Sequence, residues 1–153
     1  MHKFAIIFAL LASVACSLSC GRSAHQDARP AIRAVLEGQV KAWNEGNIEE
    51  FLDGYIKSPE LLFASRGTFS RGWDPLLEFY RSAYPEGKMG QLRFDDVEIH
   101  LLGDDAGWVT GCWSLASVDS SPRGAFTLIF AKTPSGWKII HDHTSSADTT
   151  DDK

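Results

Sequence analysis

His141, Asp142 and His143 stand side by side near the end of the 153-residue chain, followed by Thr144, Ser145 and Ser146. No other stretch gathers as many groups able to move a proton or hold a polar ligand. An imidazole titrates near neutral pH and suits general acid–base work. Two imidazoles two residues apart on a strand leave the same face, so His141 and His143 have the spacing of a bidentate metal chelate. A metal needs at least one more ligand, from Glu98 or His100 on a neighbouring strand. A lone His-x-His is weak grounds for one, so neither a metal nor any other cofactor is expected.

The element that must carry these groups reads as a strand, Trp137 to Thr144, entered through Pro134-Ser135-Gly136. Strict alternation puts Ile139, His141 and His143 on one face and Ile140, Asp142 and Thr144 on the other. His141 and Asp142 then line one cavity only if the strand ends or twists between them. The plainer alternative is that the polar groups cap the sheet end and bond to loops.

Upstream the pattern is helix, helix, short strands, helix, then four long strands. Ile32, Val35, Leu36, Val40 and Trp43 recur at helical spacing behind Pro30, and Gly46 suits a left-handed cap. Asn47 and Glu50 form a capping-box pair ahead of a second helix whose buried face is Ile48, Phe51, Leu52, Tyr55 and Ile56. Leu61–Ser65 and Thr68–Arg71 read as short strands. Asp74-Pro75 opens a third helix, with Asp74 as cap. Strands follow over Leu92–Leu102, Ala106–Val118 and Gly124–Thr133. In the first of these Leu92 and Phe94 share one parity and Val97, Ile99 and Leu101 the other. A bulge at Asp95-Asp96 would bring all five to one face. Helices first and strands after them predict an α+β domain with helices packed on one face of a curved sheet.

Several segments carry a resemblance: Ala42-Trp43-Asn44-Glu45-Gly46-Asn47, Tyr55 to Ser65, Arg71-Gly72-Trp73, Gly124-Ala125-Phe126-Thr127-Leu128, and Gly136 to Ser145. With the element order they resemble a bacterial family of the SnoaL-like, or nuclear-transport-factor-2-like, superfamily over about residues 30–146. The resemblance implies a cone-shaped, strongly curved antiparallel sheet wrapped around three N-terminal helices and enclosing a pocket. It does not choose a function, because the superfamily hosts isomerases, cyclases, dehydratases, peptide binders and oligomerisation domains. It also implies that the closing His borders the pocket. This favours His143 as the acid–base group, with Asp142 or Ser145 orienting it. Arg66 departs from the pattern where a small residue is expected, and would narrow the pocket mouth.

Tyr55, Tyr80, Trp73 and Trp113 are candidate cavity walls, with His141 beside them, although such aromatic stripes more often form core. Arg71, ahead of the third helix, could hold an anion at the helix N-terminus; a surface ion pair is the alternative. The chain lacks Gly-x-Ser-x-Gly, a phosphate-cradling glycine loop and a Cys–His nucleophile pattern, which leaves covalent catalysis, nucleotide hydrolysis and nicotinamide chemistry unsupported.

Hydrophobic residues make up 44% of the chain and charged residues 23%, enough apolar mass for one domain with a real core. A net charge of −5 argues against nucleic acid or an anionic membrane surface as partner. Met1-His2-Lys3, the apolar run Phe4 to Ala15 and the small residues through Gly21 read as an export signal over 1–20. Cys20, flanked by Ser19 and Gly21, resembles a lipoprotein acylation site, with Cys16 a second candidate. Either makes the membrane a partner only through a lipid anchor. Residues 21–29 read as a tether and 147–153 as a frayed acidic tail. Cys112, left without a partner, reads as a small buried hydrophobe. The functional expectation is an exported domain, periplasmic or lipid-anchored, that binds a small, partly apolar molecule. The alternatives are a cofactor-free isomerase or hydrolyase using a His base, and a homodimeric module joined through the sheet.

Overall fold

The computed structural model describes residues 27–85, 89–117 and 121–147. The leader with Cys16 and Cys20, most of the tether, and the tail beyond Ala147 lie outside the described residues.

Helix α1 runs Arg29–Asn44 with Pro30 in its first turn, and buries Ile32, Leu36, Gln39, Ala42 and Trp43 along one stripe. Gly46, at φ +80°, takes the left-handed turn that ends it. Asn47 caps α2 (Ile48–Leu52): its Oδ1 accepts from Glu50 N at 3.0 Å and its Nδ2 donates to Glu50 Oε2 at 3.0 Å. The helix is a turn shorter than its apolar spacing suggests, and Tyr55 lies beyond it. A β-carbon on Gly54 would sit 2.8 Å from the Gln39 side chain, so only glycine lets the chain pass this close under α1.

Strands β1 (Leu62–Ser65) and β2 (Thr68–Arg71) form a hairpin. Its turn, Arg66-Gly67, has positive φ at both residues, 49° and 75°. Helix α3 spans Trp73–Ala83. It starts one residue ahead of the expected cap: Asp74 lies in the first turn, where its charge suits the helix dipole, and Gly72 holds the cap position.

Strands β3 (Gln91–Leu102), β4 (Ala106–Ala116), β5 (Arg123–Thr133) and β6 (Gly136–Thr144) form an antiparallel meander. The six-stranded order is β2-β1-β6-β5-β4-β3. One pairing departs from the expected antiparallel pattern: β1 runs parallel to β6. The helices lie against the concave face of this curved, unclosed sheet, and the core fills the space between. Asn44 ties α1 to edge strand β3, accepting from Leu92 N at 2.7 Å and donating to Leu92 O at 3.1 Å.

Two bulges decide which side chains face the core. The expected one lies between Asp95 and Glu98, with Asp96 at φ +52°; Leu92, Phe94, Val97, Ile99 and Leu101 all pack on the core side of it. The other is in β6. Phe130 pairs with Ile139 and Ile129 with His141, so Ile140 is the extra residue. Ile139 and Asp142 therefore share the concave face, whereas strict alternation separates them. The register also corrects the reading of Cys112. It pairs with Ala125 on the convex face and is exposed, not buried.

Candidate functional site

The concave face of β6 carries Trp137, Ile139 and Asp142, all buried. Phe63 on β1 and Leu128 on β5 pair with Asp142 from either side, so its carboxyl group is walled by apolar side chains. The chain at Gly54–Ile56 lies along β6 where β1 does not reach. Ile56 N donates to Ile139 O and Ile139 N to Gly54 O, each at 2.9 Å. This clamp aims the Tyr55 side chain along the strand, and its hydroxyl donates to Asp142 Oδ2 at 2.7 Å. Asp142 Oδ1 is buried and has no protein partner.

Above this pair is a cavity of about 100 Å³. Among the described lining residues Asp142 is the one carboxyl, none is Lys, Arg or His, and Gln39 is the one amide. The Gln39 Nε2 is occupied, donating to Phe51 O at 3.1 Å. Most of the remaining wall is aromatic: Trp43, Phe51, Tyr80 and Tyr84 from the helical layer, Phe94 and Trp113 among those from the sheet. The rings lock one another edge to face, with Trp43 at 71° to Phe51, 80° to Tyr80 and 74° to Tyr84. Trp113 is fixed from its other end, Nε1 donating to Ser145 O at 3.0 Å.

Desolvation among these walls pushes the Asp142 carboxyl up to about 7, against the lowering effect of the Tyr55 hydrogen bond. Burial raises Tyr55 well above the ordinary phenol range, and the Asp142 charge adds to it. Tyr80 is raised for the same two reasons, opposed by its hydrogen bond with Tyr55. At neutral pH the site thus holds one carboxyl group shared between its charged and neutral forms, beside two phenols that keep their protons. Such a group can accept a proton, give one up, or hold a donor on its free oxygen.

The other expected residues lie elsewhere. His141 and His143 project from the convex face, which corrects the expectation that His143 borders the cavity with Asp142 orienting it. His143 is exposed, next to Ala64 and Thr127; His141 is half-buried between Leu62 and Ile129. Desolvation, then the proximity of His143, lowers the His141 pKa. Glu98 and His100 are on β3, three strand spacings from β6 or about 14 Å across the sheet. There His100 stacks on Trp108, with centroids 4.0 Å apart. No cluster of three or more metal-ligating side chains occurs among the described residues. Arg71 and Trp73 line a separate groove at the start of α3. Trp73 Nε1 donates to Leu52 O at 3.1 Å, and the Lys57 ammonium lies 4.9 Å from its ring centroid. Arg66 is exposed in the β1–β2 turn and does not line the cavity. Of the expected set, the cavity brings together Asp142, Tyr55, Tyr80 and Trp113. Trp43 and Phe94 join them from stripes that read as ordinary core, and Gln39 from α1, where it lies outside the apolar stripe read there.

The SnoaL-like domain model matches residues 32–149. The chain belongs to the SnoaL-like family. A solved NTF-2 like protein of unknown function from Shewanella oneidensis MR-1 is 36% identical, over 76% of this chain and 97% of that one, with a TM-score of 0.73. An NTF2-like superfamily protein from Salmonella enterica serovar Typhimurium LT2 is 21% identical over 80% of this chain and 93% of its own, with a TM-score of 0.62. A putative calcium/calmodulin dependent protein kinase II association domain from Xanthomonas campestris is 18% identical over 84% and 93%, with a TM-score of 0.64. The last two establish a common fold. No curated protein matches the chain. Membership of the SnoaL-like family thus accounts for the cone of sheet and helices and leaves the chemistry to the residues inside it.

Proposed function

We propose that this SnoaL-like domain binds a small, partly apolar molecule in the concave cavity, with Asp142 as its polar anchor. One observation carries the proposal: Asp142, which lines an aromatic-walled space, has a buried carboxylate oxygen without a protein partner. Buried polar atoms are nearly always hydrogen-bonded, and leaving one bare costs about 1–3 kcal/mol. A group kept at that cost, at a cavity wall, fits a site completed by something other than the chain. The cavity of about 100 Å³ has room for a molecule of a few non-hydrogen atoms, since a liquid water occupies about 30 Å³. The test is a fragment screen read by tryptophan fluorescence and by amide NMR shifts around Asp142. Binding of small polar fragments that vanishes in Asp142→Leu supports the proposal; fragments that shift only surface residues overturn it.

A second reading, proton transfer without a cofactor, is favoured by the carboxyl near 7 beside the Tyr55 hydroxyl. In it Asp142, rather than a histidine, takes a proton from carbon, Tyr55 positions the carboxylate through its hydrogen bond, and the Tyr80 hydroxyl holds the developing oxyanion. Deuterium exchange into acetone tests it without a named substrate. Exchange that rises through about pH 7 and is lost in Asp142→Asn supports it; equal rates in both proteins end it.

Two further proposals concern context. The leader supports export with Cys20 as the acylated residue, and Cys20→Ala should then move the protein from the membrane to the soluble fraction. The convex sheet face, with Ile129 37% and Phe69 74% exposed, supports a homodimer, which sedimentation at high concentration checks.

A further inference from the structure

The composition of the cavity wall goes further than its size. Among the described lining residues its charge comes from a single carboxyl group, with no basic side chain to offset it. Tyr55 satisfies one oxygen and Oδ1 has no protein partner, so the carboxyl group, when ionised, can still accept from a hydrogen-bond donor. An anion placed there would meet the ionised Asp142 with no cation among the described lining residues, and is disfavoured. Most of the remaining wall is π-surface, and the rings stand at steep angles to one another: Trp43 lies at 80° to Tyr80, and Phe94 at 59° to Phe126. A wall built largely of aromatic rings has π-surface to offer an occupant. Ring faces attract cations, and most strongly where water is excluded. A purely apolar guest would fit the rings and leave Oδ1 unpaired. A neutral alcohol would satisfy Oδ1 and gain little from the rings. A small ammonium does both.

We infer that the ligand class of this cavity is a small primary or secondary alkylammonium, its N–H donated to Asp142 Oδ1 and its carbons enclosed by the aromatic wall. The inference rests on the small-molecule reading above and names its substrate class. The carboxyl near 7 adds a consequence. A bound cation stabilises the ionised form, so binding below about pH 7 expels a proton and affinity falls as the solution is acidified. Tyr55 and Tyr80, the phenols facing Asp142, stay protonated throughout that range and do not add to the pH dependence.

The experiment compares isopropylammonium, isopropanol and acetate, which are close in size and differ in charge, by calorimetry on the unmodified protein at about pH 8 and about pH 5.5. Isopropylammonium should bind at least about tenfold more tightly than isopropanol at the higher pH, and acetate should not bind. At the lower pH the ammonium should lose about tenfold or more while isopropanol is unchanged, a comparison that needs no variant. Asp142→Asn, if it melts cooperatively, should erase the preference for the cation. Isopropanol binding as tightly as the ammonium, with shifts at Asp142, would overturn the cation and leave the small-molecule site standing. Acetate binding, or ammonium binding insensitive to both pH and Asp142→Asn, would also overturn it. If none of the three binds, the cation class and the small-molecule reading fall together.

Discussion

Asp142 and His143 are neighbours in sequence and opposites in environment. Asp142 faces inward, 5% exposed, one oxygen bonded to Tyr55 and the other bare. His143 faces outward beside Ala64 and Thr127 and is exposed. One peptide step on a strand reverses which solvent a side chain sees: water on the convex face, a low-dielectric aromatic wall on the concave face. The residue type best suited by its free pKa to neutral acid–base work is on the wrong side. The carboxyl, ordinarily a poor match, is brought to that range by burial. Environment, more than residue type, sets the chemistry of this strand.

The sharpest way to break the comparison is to remove the inward charge. Asp142 has a folded pKa of about 7 against an unfolded 3.8. Between those values the unfolded chain releases a proton that the native state keeps, so stability falls as pH rises through that window and is level above it. The difference corresponds to roughly 4 kcal/mol at most. Asp142→Asn removes the slope. Urea melts at about pH 4, 5.5 and 8 should show the variant gaining on the parent as pH rises, by up to about that amount. A constant difference across the series would mean that Asp142 is not desolvated.

Next in size is Tyr55→Phe, which keeps the ring and deletes the donor to Asp142. A hydrogen bond to a charged group contributes about 1.5–3 kcal/mol. The loss should approach that range above pH 7, where the carboxylate is ionised, and be smaller at about pH 5. Removing the one contact that lowers the Asp142 pKa should also move its titration to higher pH, followed by carboxyl ¹³C NMR.

Much of the inward face was legible in the sequence because it obeys period and parity. The amphipathic stripes of α1 and α3, the Asn47 cap and the meander all follow from local rules. The β3 bulge was legible too, because Asp95-Asp96 interrupts an apolar run and the parity of Leu92 and Phe94 against Val97 and Ile99 demands one. The β6 bulge left no such mark. Ile139-Ile140 is apolar throughout, so nothing local says that Ile140 is the extra residue. The error then passes to Ile139, whose apparent partnership with His141 and His143 is undone by the register with Phe130 and Ile129. Cys112 failed for a different reason: its hydrophobicity pointed inward, while the parity it shares with Thr110 and Ser114 points outward. The pairing of Tyr55 with Asp142 spans 87 residues and depends on the chain at Gly54 passing close to Gln39 of α1 and along β6, a tertiary arrangement no local pattern encodes.

A smaller effect is expected at His141, the intermediate case. Its ring is half-buried between Leu62 and Ile129, so His141→Ala should cost about 1 kcal/mol at about pH 8. Its folded pKa is lowered, first by desolvation and then by His143. The unfolded chain therefore takes up a proton first as pH falls below 6.5, and the parent loses stability there. The penalty of the variant should shrink at about pH 5. A penalty that grows instead would mean that His141 gains a charge partner on the convex face.

The smallest effect belongs to His143. Its ring is exposed and outside the cavity, so His143→Ala should change stability by no more than about 0.5 kcal/mol. Fragment binding in the cavity should also be unchanged, because the ring and the Asp142 carboxyl leave opposite faces of β6. Denaturant melts and the fragment titration check the two parts independently. A melt shifted by several kcal/mol would place the ring in a packed interface, and the homodimer through the convex face is where it would find one. A melt left alone with fragment binding weakened about tenfold would be the more damaging result. It would require the strand to present His143 to the cavity, with Ile140 back in the ladder, His141 and His143 on the concave face beside Ile139, and Asp142 in water. That register would keep Ile139 inward and carry Asp142, now buried, to the convex face. The hydrogen bond that Asp142 accepts from Tyr55 would be lost with it, a contribution of about 1.5–3 kcal/mol for a bond to a charged group.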